Sequence, residues 1–135
     1  MTSTFYLEVL APDRIFFGGD VQMVIIPAVD GSMGILPGHD AMVTAISIGE
    51  LKIKIQDQWK IAAISNGFIE VMPDYVIILA DSVEWPEEID AKRAQEAKER
   101  AEERLRQKES QIEHLRTQAA LRRALTRLKV TKGLK

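Results

Sequence analysis

Val83-Glu84-Trp85-Pro86-Glu87-Glu88-Ile89-Asp90-Ala91-Lys92-Arg93-Ala94 is the stretch in which the chain changes character, and it divides the sequence into two modules. Upstream lie short apolar runs punctuated by Gly, Pro, Asp and Asn. Downstream the composition turns to Ala, Glu, Lys and Arg, with no Gly or Pro until Gly133. Charge divides at the same place. Residues 1–86 hold 4 Lys/Arg against 11 Asp/Glu, or −7, and residues 87–135 hold 14 against 9, or +5, so the whole-chain value of −2 conceals two modules of opposite sign. The fold class expected is β followed by α: residues 1–86 a β module, residues 87–135 a helical hairpin.

In the first module strands alternate with turn chemistry. Phe5, Leu7 and Val9 alternate with Tyr6 and Glu8, and Pro12-Asp13 ends the run. Val21 to Val29 leads into Asp30-Gly31, after which Gly31, Gly34, Pro37 and Gly38 are expected to break regular structure. Leu51, Ile53 and Ile55 alternate with Lys52, Lys54 and Gln56, then Asp57-Gln58 turns into a return strand from Trp59 to Ile64. Asn66-Gly67 reads as a further hairpin turn. Phe68 to Met72 and Val76 to Ala80 read as strands around Pro73-Asp74. Turns at such short intervals, with no helix between them, indicate an antiparallel sandwich or barrel.

In the second module the period changes. Glu87, Glu88 and Asp90 suit the positive end of a helix dipole, and Ala94, Ala97, Ala101 and Leu105 follow as a narrow stripe that a second helix can approach closely. Ser110-Gln111-Ile112-Glu113 matches a capping box, which places the bend between Gln107 and Ser110. On the second helix Ile112, Leu115 and Ala119 share one face, and Leu121, Ala124, Leu125 and Leu128 lie mainly on the opposite one. Such a helix needs two partners, or one partner in each of two states. Beyond Glu113 no acid remains, while Arg116, Arg122, Arg123, Arg127, Lys129, Lys132 and Lys135 do, so the helix seeks an anionic surface.

Most enzyme classes lack their residues here. The chain has no Cys, which removes disulfides and thiolate chemistry, and its two histidines, His39 and His114, fall in different modules without ligand-spaced neighbours. The glycines of Gly31-Ser-Met-Gly-Ile-Leu-Pro-Gly-His39 match neither phosphate-loop spacing. No nucleophile elbow is present. No apolar run approaches the roughly 18 residues of a membrane span, and Thr4 to Leu10 reads as a strand rather than a signal peptide. The sequence is read as that of a soluble protein that meets a membrane only through partners.

One constellation crosses the two helices. Arg93 and Arg100 stand seven apart, Arg123 and Arg127 four apart, so folding the helices together brings four guanidinium groups toward one place. Guanidinium binds phosphate bidentately and stacks on flat rings, which suits a nucleoside triphosphate, with Asp90 or backbone groups to take the base's amino group. The plainer alternative is a solvated hairpin laced by pairs such as Glu96–Arg100, Lys98–Glu102 and Glu102–Arg106. A nucleic-acid-binding module using the basic second helix is the rival function. Against it stand the acidic first module, a pI near 5.7 and the lack of an aromatic binding surface.

Gly34-Ile35-Leu36-Pro37-Gly38-His39, Pro12-Asp13, Gly67-Phe68-Ile69-Glu70-Val71 and Ile89-Asp90-Ala91-Lys92-Arg93-Ala94 together resemble the epsilon-subunit family of F-type ATP synthases, in order and over essentially the whole chain. The Ile-Asp-x-x-Arg-Ala string is similar to that of bacterial members that bind ATP. Ser32-Met33 and Asn66 depart from the family's frequent residues. The resemblance implies a sandwich of about ten strands, docked on the gamma subunit and the c-ring of the central stalk, and a C-terminal hairpin that is compact or extended. Extended, its basic helix would face the beta/alpha catalytic hexamer and block ATP hydrolysis. The chain itself would be non-catalytic, at the cytoplasmic face of the bacterial cell membrane, with ATP as a regulatory ligand and no metal required. The ATP site so implied comprises Glu84, Ile89, Asp90, Arg93, Ala94, Arg100, Arg123 and Arg127.

Overall fold

Alternating apolar side chains build the first module. Leu7 and Val9, Val24 and Ile26, Leu51 and Ile53, Ile69 and Val71, and Val76 and Ile78 are all buried, each pair two apart on one face of a strand. The computed structural model describes residues 3–107 and 110–132. Eight strands appear: β1 Phe5–Ala11, β2 Arg14–Val21, β3 Met23–Ala28, β4 Gly31–Ile35, β5 Met42–Ile46, β6 Gly49–Ile55, β7 Gln58–Val71 and β8 Tyr75–Glu84. Their hydrogen-bonded order is β2-β1-β8-β7-β6-β3-β4, with β5 also on β7. β2 touches β6 and β3 touches β5 although neither pair is hydrogen-bonded, so the sheet closes over its own core as a sandwich.

Eight strands stand where about ten were expected, partly because β7 does the work of two. Gln58–Ile64 pairs with β6 and Gly67–Val71 with β5, while β8 runs along the other side. Asn66-Gly67 is therefore not a hairpin turn. Asn66 takes φ 20° within the strand, and a Cβ on Gly67 would lie 1.9 Å from the Leu79 carbonyl oxygen, so glycine is there to let two backbones meet. Gly31 and Gly34 likewise do not break structure; they lie in β4, paired with β3. The expected antiparallel pairing holds except for β1 and β8, which run parallel.

Two turns fall where they were expected, and a third, expected at Asp57-Gln58, falls one residue earlier. Pro12-Asp13 joins β1 to β2. Gln56 and Asp57, both at positive φ, join β6 to β7 in the two-residue hairpin that matches strand twist. Gln22 braces that second turn: its Nε2 donates to Asp57 Oδ1 at 3.1 Å, and Asp57 N donates to Gln22 Oε1 at 2.7 Å. Tyr75 O accepts from Met72 N at 2.8 Å across Pro73-Asp74.

A single 3-10 turn, Pro86–Glu88, links the sandwich to α1, Ala91–Leu105. The helix thus begins later than Glu87 and Glu88 suggest. Asp90 is its N-cap, Oδ1 accepting from Arg93 N at 3.0 Å. α2 spans Gln111–Lys132, with Ser110 Oγ accepting from Glu113 N at 3.2 Å. Part of the bend lies outside the described residues. Ala94 and Ala101 on α1, and Thr117, Ala124 and Val130 on α2, are the buried positions. α2 rests on α1, on β6 and β7, and on the linker. The two-faced pattern is only partly met: Ala124 is buried, but Ile112 and Leu115 of the first face and Leu125 of the second are exposed. Along α1, Arg106 pairs with Glu103 at 2.7 Å rather than with Glu102.

Candidate functional site

The linker is fixed before the helices begin. Trp85 stacks on Phe16 of β2 with ring centroids 4.3 Å apart. Arg14 reaches Glu88 through both terminal nitrogens, at 2.5 and 2.9 Å, and donates to the Val83 carbonyl at 3.2 Å. The hydrogen bond from Arg14 holds the Glu88 carboxyl below the usual carboxylate range. Glu88 also accepts from Trp85 N at 2.9 Å. Ile89 and Asp90 are thereby delivered to α1 at a set angle from the end of β8.

At this junction opens a cleft of about 340 Å³, lined by Glu84 of β8, by Glu88, Ile89 and Asp90 of the linker, by Arg93, Ala94, Ala97 and Arg100 of α1, and by Arg127 of α2. It gathers seven of the eight positions singled out in the sequence. Their placement has a simple origin. Asp90 caps the helix, which puts Arg93 and Ala94 in the first turn; Ala97 and Arg100 follow on the same flank one and two turns later. Arg127 arrives from the far end of α2 and is held across the cleft by Glu84, Nε to Oε1 at 2.7 Å.

Arg123 is the exception. It lines an adjoining cleft of about 330 Å³ between the helices, with Ala97, Arg100, Ala101, Arg104, Arg116, Thr117 and Ala120. Ala97 and Arg100 border both spaces. Four guanidinium groups and no carboxylate line this second cleft, and two of them, Arg104 and Arg116, were not singled out as site residues. The signal for them was available, since Arg116 and Arg123 are seven apart on α2, as are Ala97 and Arg104 on α1. Together the two clefts suit a polyanion that carries a flat ring. Guanidinium groups offer paired donors, Ile89 and the alanines an apolar wall, and Glu84 and Asp90 acceptors.

Among the described residues no group of three or more His, Asp or Glu could hold a metal ion, and His39 Nδ1 lies 2.8 Å from the Asp40 carbonyl. No described helix is long and apolar enough to cross a membrane.

Comparison with known proteins agrees with this architecture. Residues 4–86 match the family model for the ATP synthase Delta/Epsilon chain beta-sandwich domain, and residues 87–132 that for its long alpha-helix domain. The ATP synthase epsilon chain of Ruminiclostridium cellulolyticum is 51% identical over 129 residues, covering 96% of each chain. That of Caldanaerobacter subterraneus subsp. tengcongensis is 54% identical over 131, covering 96% of this chain and 95% of the other. In fold, the chain is similar to one in the cryo-EM structure of Euglena gracilis mitochondrial ATP synthase, OSCP/F1/c-ring, at TM-score 0.72 and 22% identity, covering 97% of this chain and 79% of that one. Both modules match in sequence and in order, and the chain belongs to the ATP synthase delta/epsilon chain family.

Proposed function

We propose that this chain is a non-catalytic subunit of the central stalk of a bacterial ATP synthase, and that its helical arm regulates ATP hydrolysis by switching between folded and extended positions according to ATP. The observation that carries the reading is the cleft itself. Glu84, Arg93, Arg100 and Arg127 come from the sandwich, from α1 and from α2, so the site is complete only while the arm is folded. A ligand bound there favours the folded state by RT ln(1 + [ATP]/Kd), about 2.7 kcal/mol at a hundredfold excess over Kd. As ATP falls, that stabilisation is lost and the arm is released.

Each residue has a role within this reading. Arg93, Arg100 and Arg127, with Arg123 next door, would neutralise phosphates. Ile89 and Ala94 would pack on the base. Asp90, with Oδ1 taken by the helix cap, keeps Oδ2 for an amino donor, and Glu84 orients Arg127. Once released, α2 would carry its acid-free basic run toward acidic segments of the catalytic hexamer. The sandwich would join the gamma subunit and the c-ring. In its favour is an apolar row across four strands, Ala45–Phe68–Leu79–Leu10, in which Phe68 is 59% and Leu79 52% exposed. Large exposed apolar side chains in contact with one another mark an interface. The subunit would then sit at the cytoplasmic face of the cell membrane, held there by its partners.

Calorimetric titration of the full chain with ATP tests the sensor. Wild type should bind, and Arg100→Ala and Arg127→Ala should each weaken binding at least tenfold, as expected for a lost charge-assisted contact of about 1.5–3 kcal/mol. Absence of heat from the wild type removes the sensor. Adding the chain to an epsilon-depleted synthase and measuring hydrolysis and proton pumping tests the regulation separately.

A further inference from the structure

Glu50, Ala63 and Glu84 form one row across three adjacent strands. Glu50 pairs with Ala63 between β6 and β7, and Ala63 pairs with Glu84 between β7 and β8, so all three side chains leave the same face of the sheet. The next row on that face carries Ser65 opposite Ser82. The result is a trough with a floor of small side chains and a carboxylate on each side. α2 lies in it. Arg123, Thr126 and Arg127 meet Ala63, Ser65 and Ser82 across a narrow gap, and Val130, one turn further on, is buried.

Both rims are occupied. Arg127 meets Glu84 at 2.7 Å on one side, and Lys129 meets Glu50 at 3.1 Å on the other. Arg122 adds a hydrogen bond to the Ile48 carbonyl at 3.3 Å, on the Glu50 side. A floor of Ala and Ser gives the helix little apolar area to bury, and burial scales with that area. Apart from the buried Val130, the contacts that tie the helix to this face are the two ion pairs and the Arg122 hydrogen bond.

We propose that the Glu50–Ala63–Glu84 row is a two-sided electrostatic clasp for α2, and that Glu50 sets how much of the arm stays folded when no nucleotide is bound. Glu84 belongs to the nucleotide cleft as well; Glu50 does not line it. The two carboxylates thus divide the labour. One ties the arm to the ligand site, and the other holds it independently of ligand. Because apparent ligand affinity falls with the fraction of molecules in the binding-competent state, the Glu50–Lys129 pair tunes the ATP concentration at which the arm lets go. This rests on reading the arm as a two-state element.

The chain has no cysteine, so Asp74→Cys on the sandwich and Gln118→Cys on α2 give two selective labelling positions, both exposed. Energy transfer between them reports the folded fraction of the full chain without ATP. Against that background Glu50→Gln should lower the folded-to-open ratio roughly two- to fivefold at low salt, the size of a partly exposed ion pair. The difference from wild type should vanish near about 1 M salt, where the screening length is about 3 Å. Lys129→Glu should act in the same direction, and Glu50→Lys combined with Lys129→Glu should recover the ratio toward wild type, which a merely structural role for either residue would not produce. If Glu50→Gln leaves the ratio unchanged at low salt, or the charge-swapped pair is no better than Glu50→Lys alone, the clasp is wrong. A wild type that gives no heat with ATP yet opens with salt and with Glu50→Gln would remove the nucleotide sensor and leave the clasp standing.

Discussion

The sandwich and the helical arm are held together by different physics. Among the described residues, the eighteen buried members of the hydrophobic core lie from Leu7 to Val83, and fifteen of them are Leu, Ile or Val. The arm buries Ala94, Ala101, Thr117, Ala124 and Val130, three of them alanines. A core of branched aliphatics is worth roughly 1.5–3 kcal/mol per buried side chain. An alanine seam contributes little area, and most of a helix's stability in a protein comes from such packing. A platform that must stay assembled and an arm that must be able to leave need these two kinds of contact. Changes in the two regions should accordingly have unequal reach.

The largest effect is expected in the platform. Ile78 on β8 is fully buried, and Ile78→Ala should cost about 2–5 kcal/mol through lost transfer energy and the cavity left behind. Because the arm rests on this layer, sandwich and arm should melt together, several degrees lower. A loss confined to helix signal, with the β transition unmoved, would overturn the view that the platform carries the arm.

Ala101→Leu reverses the comparison. Ala101 is 4% exposed in the seam between α1 and α2, and overpacking there typically costs about 1–3 kcal/mol. The helices should separate, detected as faster amide exchange in residues 91–105 and 111–132, while the sandwich melts as before. ATP binding should weaken with it, since α1 and α2 jointly line the cleft. A lowered sandwich Tm would show that the two regions are less separable than their packing indicates.

Much of this contrast is written in the residues themselves. The reversal of charge and composition around Pro86, the turns at Pro12-Asp13 and Pro73-Asp74, and the cap at Ser110 are local chemistry, and local chemistry is legible. β2, β4 and β5 were not. β2 pairs only with β1 and includes Gly18-Gly19-Asp20, so it lacks the alternation that marks a half-buried strand. β4 is short and carries Gly31 and Gly34. Gly67 misled for a related reason: a glycine needed by a neighbouring strand looks the same in sequence as a glycine needed by a turn. At the site, the cap at Asp90 and the helical period place Arg93, Ala94 and Arg100 together. Arg123 and Arg127 share a flank at four-residue spacing and meet in the narrow gap against the sheet, yet beside α1 they line two adjoining clefts. Helix period fixes which residues share a face, not how that face meets its neighbour.

A smaller effect belongs to the bend. Ser110 Oγ satisfies Glu113 N at the start of α2, and Ser110→Ala should cost about 1 kcal/mol, visible as fraying of residues 111–114 in amide exchange. The sandwich should be unaffected, and so should Arg127 with its Glu84 partner, more than three turns away along α2.

The smallest expected effect lies on the boundary between the two regions and depends on pH. Glu88 has its carboxyl pKa lowered, first by the hydrogen bond from Arg14. A carboxyl whose pKa is lower folded than unfolded binds fewer protons in the folded state, so its contribution is present above the ordinary carboxylate pKa and is lost as pH falls through the depressed value. Arg14 shifts upward from an already high pKa and plays no part in that window. Side-chain exposures of 40% for Arg14 and 34% for Glu88 limit the pair to about 1 kcal/mol or less. Glu88→Gln should therefore weaken the linker slightly at neutral pH and converge with wild type in acid, read as the difference in stability between the two proteins from pH 7 downward. Arg14 also donates to Val83 O and sits 5.3 Å from the Phe16 ring centroid, so Arg14→Ala should cost more than Glu88→Gln and keep part of that cost in acid. If the two substitutions instead show the same loss with the same pH dependence, Arg14 holds the junction of platform and arm through the ion pair alone, and its contacts to the Val83 carbonyl and the Phe16 ring add nothing.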